Sequence, residues 1–115
     1  ATYLLKAGKF EEAEKRAREC LAIREKEMPD HWLTSNSRSI LGGALLGQKK
    51  YAEAEPLLIS GYEGMKQREG KIPAAGKVRL KEAVQRLVQL YEVTGRSDQA
   101  PAWKQKLAEL QKTEK

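Results

Sequence analysis

The sequence predicts an all-α protein, an α-solenoid of about three antiparallel helix pairs wound into a right-handed superhelix. Three observations predict it. Ala, Leu, Glu, Lys, Gln and Arg dominate the 115 residues while β-branched residues are sparse, which is a helix-forming vocabulary. Aromatic residues make up 6% and hydrophobic residues 40%, so the core must be built mainly from Leu, Ala, Val and Ile. The third observation is an internal repeat, the signature of stacked helical units. Phe10, two residues and Ala13-Glu14 recur 41 residues later as Tyr51, two residues and Ala54-Glu55, and Ala100 follows Ala54 by 46.

Each repeated turn is flanked by apolar helical stretches, at 3–7, 40–46 and 80–93 before it and 17–23, 57–62 and 103–110 after it. The units run over about residues 1–28, 29–70 and 74–113 of a single domain. Ala13, Ala54 and Ala100 are small where paired helices cross. Gly8 and Gly95 suit the left-handed backbone that ends a helix. In unit two, Asp30 after Met28-Pro29 reads as the cap of a helix reaching about Gly47, and Pro56 predicts a slight bend in the next helix. That helix is expected to run to about Arg68 and stop at Gly70, with 71–76 crossing as an exposed basic loop. In unit three, Ser97 with Asp98 reads as a helix cap and Pro101 falls in the first turn.

These spacings resemble the tetratricopeptide repeat, whose pattern is Trp-x2-Leu-Gly-x2-Tyr, then Ala-x3-Phe, then Pro. Unit two supplies Leu41-Gly42, Leu45 in the Tyr place, Tyr51, and Ala54-x3-Leu58. Unit three supplies Val84, Leu87-Val88, Tyr91, Gly95 and Ala100. Unit one keeps only the second half, with Gly8, Phe10, Ala13, Ala17 and Cys20-Leu21. Arg38 and Lys104 depart from the pattern at two aromatic places. The longer spacing, the run 22–26 before Pro29-Asp30, and Tyr51-Ala52-Glu53-Ala54-Glu55-Pro56 are similar to the repeats of kinesin light chains. The run 42–51 is similar to the tails of bacterial serine/threonine protein kinases.

The net charge is +6 and the pI near 9.5, which raises the question of nucleic acid. Over 11–27, however, the signs are interleaved, with helix pairs such as Glu14 and Arg18. The surplus lies in 66–81, where Lys66, Arg68, Lys71 and Lys77 would suit an acidic partner. RNA readers with helical repeats show base-reading side chains in each unit, and single-strand binders interleave aromatics with basic residues. Neither pattern is present, so nucleic acid is not expected.

No catalytic, cofactor or metal site is expected. Gly42-x4-Gly47 resembles the opening of a phosphate-binding loop, but Gln48-Lys49 follow where Lys and Ser or Thr are needed, so helix packing explains the glycines. The single cysteine, Cys20, sits in a small-residue place and has no positioned base, since the only histidine, His31, reads as a helix-start residue. One Cys and one His cannot complete a metal site. Trp32 and Trp103 read as core-edge residues. One cysteine also favours a reducing, cytoplasmic setting, and no apolar run approaches the ~20 residues that cross a bilayer.

The resemblance implies a scaffold for a protein or peptide held on the concave wall formed by the first helix of each unit. Mapped onto this chain, that wall presents Asn36, Ser39, Gly43 and Leu46 from unit two and Gln85, Arg86, Gln89 and Glu92 from unit three. A clamp for chaperone tails is not expected, because Thr2, Ile40 and Glu82 occupy three of its basic or Asn places and only Arg86 remains. The Asn pair of kinesin light chain grooves is replaced by Ser39-Ile40 and Gln85-Arg86. The alternative is a regulatory or docking region of a larger enzyme such as a bacterial kinase. A start at Ala1 without Met and a short first helix lead us to expect a piece of a longer chain, or self-association through the open N-terminal face.

Overall fold

The computed structural model describes residues 8–96 and 99–113, among which there are five α-helices and no strand. They are α1 (Phe10–Glu27), α2 (Trp32–Gly47), α3 (Tyr51–Gln67), α4 (Lys77–Val93) and α5 (Ala100–Thr113). The predicted stretch 3–7 and Thr2 lie outside the described residues, as do Ser97 and Asp98.

The first helix buries Ala13, Ala17 and Leu21, a stripe of four-residue spacing, with Glu11 and Glu12 in its first turn and Arg24 and Lys26 in its last. The second is enclosed: every residue from 34 to 46 except Arg38 is buried. Its cap is His31, one residue later than the expected Asp30, because the His31 Nδ1 accepts the Leu33 N–H at 3.1 Å. The third helix runs unbroken through Pro56. The fourth buries Leu80, Ala83, Val84, Leu87, Val88, Leu90 and Tyr91, the unit-three stripe read from the sequence. On α5, Trp103 meets the Tyr62 ring edge-on with centroids 5.0 Å apart.

Neighbouring helices run antiparallel. Phe10 lies against Gly47 while Cys20 reaches Ser37, and Gly42 lies against Leu58 while Gly61 lies against Ser39 and Ser35. The first helices of units two and three run parallel, since Trp32 packs on Gly76 and Ser39 meets Arg86. The buried apolar residues form one core spanning α1 to α4, and Trp103 and Leu107 of α5 pack against it partly buried. Gly42 and Gly47 both lie within α2, and their missing side chains make room for Leu58 and Phe10.

The segment after α3 departs from the expected exposed loop. Helix α3 ends at Gln67, and short 3-10 turns follow at Glu69–Lys71 and Ala74–Gly76. Between them Ile72 enters the core at 4% exposure, and Gly76 closes on the Trp32 ring. Burial of one large apolar side chain, worth about 2 kcal/mol, holds the segment down.

The three superposed turns share one backbone form. Gly8, Lys49 and Gly95 have φ of 77°, 65° and 76°, so a lysine occupies a left-handed place that its two counterparts fill with glycine. Lys49 is exposed and loses no packing on replacement. Lys49→Gly should therefore stabilise the fold by about 0.5–1 kcal/mol, read as a raised urea midpoint at constant slope.

Equivalent residues also join successive units. The Glu55 carboxylate accepts Nη1 and Nη2 of Arg96 at 3.1 and 2.7 Å and the Tyr91 hydroxyl at 3.2 Å. One unit earlier, Glu14 accepts Gln48 Nε2 at 2.8 Å and lies 3.7 Å from Lys50 Nζ. Glu14 also pairs with Arg18 at 2.8 Å, the helix pair read from the sequence. Hydrogen bonding to Arg96 holds the Glu55 carboxyl below its ordinary value of 4.5, and bonding to Gln48 and then Arg18 does the same for Glu14. A depressed folded pKa gives stability that is complete above the unfolded value and is lost as pH falls through the folded one. Glu55→Gln should cost about 1 kcal/mol at pH 7 after solvent screening, and the difference from wild type should shrink steadily below about pH 4.5 in parallel urea titrations.

Candidate peptide-binding groove

The groove is built where α1, α2 and α4 meet. Its wall from α1 is a stripe at four-residue spacing, Arg16, Cys20 and Arg24, beside the buried stripe of Ala13, Ala17 and Leu21. Its floor from α2 is Leu33, Asn36, Ser37 and Ile40, and Arg79 arrives from the first turn of α4. Together they line an open cavity of about 400 Å³, the size range of small-ligand and side-chain sites.

Each arginine is held differently. Arg24 donates Nη1 to the Leu33 carbonyl at 3.1 Å and to Ser37 Oγ at 2.7 Å, which fixes α1 against the start of α2. Arg79 pairs with Glu82 at 2.8 Å along its own helix. Arg16 is exposed and forms no ion pair among the described residues. Cys20 is half-buried, 3.8 Å from Ser37 Oγ, rather than the enclosed small residue its place in the repeat predicted. Asn36 is 6% exposed, and among the described residues its Oδ1 has no hydrogen-bond donor.

The residues expected on the concave wall separate into two groups. Asn36, Ser39, Gly43 and Leu46 are all buried, because α2 packs against α1, α3 and α4. Ser39 Oγ accepts Nη1 of Arg86 at 2.8 Å, which ties α4 to α2. Burial draws the half-buried Arg86 down from the usual arginine value and Arg79 adds to this, while Glu82 opposes it. Gln85, Gln89 and Glu92 are exposed along α4, with Glu92 paired to Lys104 of α5 at 2.8 Å. The open wall is thus α4 together with the cavity, and of the four residues expected from unit two only Asn36 lines the latter.

The basic residues in the last turn of α3 and after it do not form one free patch. Lys66 pairs with Glu69 at 2.9 Å, a hydrogen bond that raises its pKa. Arg68 donates to the Asp30 carbonyl and to the Gly64 carbonyl, and lies 3.6 Å from the Asp30 carboxylate. Lys71 and Lys77 are exposed. Arg68 therefore joins α3 to the turn before α2, a structural use of its charge.

Sequence reading missed the arginine-lined cavity. The stripe Arg16, Cys20, Arg24 carried the signal on α1, but nothing local to it announces Arg79, more than fifty residues later in the chain. Among the described residues no cluster of three or more His, Cys, Asp or Glu could hold a metal ion, and no helix is long and apolar enough to cross a membrane.

Paired antiparallel helices, parallel first helices and a repeated joint between units define an α-helical repeat protein. A family model described as tetratricopeptide repeat matches residues 1–67, more than half of the chain, and the chain belongs to that family. The match ends where α3 ends, before the longer spacing that leads into unit three. Neither curated proteins nor solved structures gave a match. Tetratricopeptide repeats are in general modules of protein–protein interaction and typically not catalysts.

Proposed function

We propose that the chain is a protein-interaction scaffold that holds an extended or helical segment of a partner along the open face of α4 and the cavity beside it. The cavity carries this reading: a cleft of about 400 Å³ whose buried Asn36 Oδ1 has no donor among the described residues is built to receive something. Gln85 and Gln89 extend the same face with groups that both donate and accept hydrogen bonds. The single cysteine, which is free, fits a cytoplasmic setting.

The test is selection of a displayed random dodecapeptide library on the folded chain, followed by amide chemical-shift mapping with a synthetic hit. Shifts should cluster at Asn36, Gln85 and Gln89. Shifts confined to Ser60 and Glu63 on the outer side of α3, or no peptide enriched above background, would overturn the reading.

A further inference from the structure

We infer that the cavity between α1, α2 and α4 receives a glutamate side chain carried on a peptide, an assignment that rests on the scaffold reading above. Among the described residues the cavity is lined by three arginines and no acidic residue. Arg24 has no carboxylate partner among the described residues, and its Nη1 contacts are to a carbonyl and a hydroxyl. Arg16 is unpaired there, and Glu12 and Glu19, which border it on its outer side, form no ion pair with it. Among the described residues Arg79 pairs with Glu82. Of the nearby carboxylates, Glu82 is paired with Arg79 and Glu12 and Glu19 stand on the outer side of Arg16, so the cavity lining itself is cationic, and the arginine fork matches a carboxylate in two-point contact.

Asn36 distinguishes a peptide from a free anion. Its buried Oδ1 has no donor among the described residues, and an oxyanion has none to give. A peptide brings both groups, a carboxylate for the arginines and a backbone N–H for Asn36. The apolar wall of Ala17, Leu33 and Ile40 lies beside the arginines, where the two methylenes of a glutamate stem find contact. The cavity has room for a side chain and its adjoining backbone. Cys20, the only cysteine of the chain, lines this cavity and serves as a built-in reporter of occupancy.

The experiment uses three fluorescein-labelled dodecapeptide pools with randomised flanks, fixed at the centre as Glu, Gln or phosphoserine. Fluorescence anisotropy measures binding, and maleimide alkylation of Cys20 is timed with each pool. The Glu pool should bind at least about tenfold tighter than the Gln pool, more weakly as salt rises, and should slow alkylation. Arg16→Gln with Arg79→Gln should remove about tenfold in affinity while leaving the thermal midpoint near that of the wild type. Equal binding of the Glu and Gln pools overturns the inference, as does preference for the phosphoserine pool, which would make the ligand a phosphate. If the Arg16/Arg79 double variant binds as wild type and shifts persist at Gln85 and Gln89, the inference fails and the scaffold reading stands. If no pool binds and sedimentation shows a dimer that the double variant dissolves, the occupant is a second copy of this chain. If no pool binds and the chain is monomeric, both readings fall together.

Discussion

Replacing Gly61 with alanine should cost the protein about 2 kcal/mol or more and lower its thermal midpoint by roughly 10 °C. A Cβ built at this position would stand 2.7 Å from the Ser39 nitrogen and 2.8 Å from the Ser35 oxygen. Both are backbone atoms of α2, so no rotamer change relieves them, and α2 and α3 must move apart. Overpacking of this kind typically costs about 1–3 kcal/mol, with more where the backbone cannot yield. Against it stands the helix preference for alanine over glycine, about 1 kcal/mol. The steric side wins because α2 is buried along nearly its whole length and has nowhere to move. Gly70 is the internal control, since a Cβ there would meet nothing within 4 Å. Gly70→Ala should be neutral or raise stability by up to about 1 kcal/mol. Urea unfolding of both variants decides the matter, and equal midpoints for the two would refute the close-packing account.

A second large effect is expected at Leu58, which is fully buried and whose Cγ lies 2.7 Å from where a Cβ on Gly42 would sit. Leu58→Ala should cost about 3 kcal/mol through lost transfer energy and the cavity left behind. Gly42→Ala alone should also destabilise, because the added methyl meets Leu58 Cγ and Cδ2 at 2.7 and 2.8 Å. The two changes are complementary in space, since the methyl added at 42 enters the room vacated at 58. The double variant should therefore be more stable than the sum of the singles predicts, by about 1 kcal/mol or more. The remaining approach to the Ala54 oxygen, 3.2 Å, keeps the rescue partial. Strict additivity in a double-mutant cycle would show that the two positions do not share a space.

The parts of this fold that the sequence reveals are those where one residue type has one physical use. Ala13 and Ala54, both at 0% exposure, mark helix crossings where any larger side chain would clash. The stripe of Val84, Leu87, Val88 and Tyr91 is apolar at helical spacing and is buried as read. Glycines 42 and 47 were legible as packing residues once the phosphate-loop reading lacked its lysine. The α2 face was harder, because Thr34-Ser35-Asn36-Ser37 looks like a solvated surface. Hydropathy does not register that Thr34 Oγ1 satisfies itself on the Met28 carbonyl at 2.6 Å and Ser37 Oγ on the Leu33 carbonyl at 3.1 Å. Small hydroxyls that close on nearby carbonyls can be buried as cheaply as alanine, and on the same helix the small side chains of Ser35 and Ser39 let α3 approach through Gly61 and Gly64. The 71–76 segment misled for the opposite reason, since a single isoleucine among polar and small residues outweighed its neighbours. The cavity could not be read at all until the fold brought Arg79 across to α1.

The joint formed by Glu14 with Gln48 and Lys50 and the joint formed by Glu55 with Arg96 place acid and base at the same two repeat positions. Unit two thus carries both halves of a connector, an acid facing forward and a base facing back. A gene duplication that copied residues from one turn to the next would copy both halves, and the new unit would arrive already matched to its neighbours. Unit two, with Lys50 behind and Glu55 ahead, is such an interchangeable part. Unit three has Pro101 where the acid stands in the other two, so a unit copied from it would arrive without its forward half.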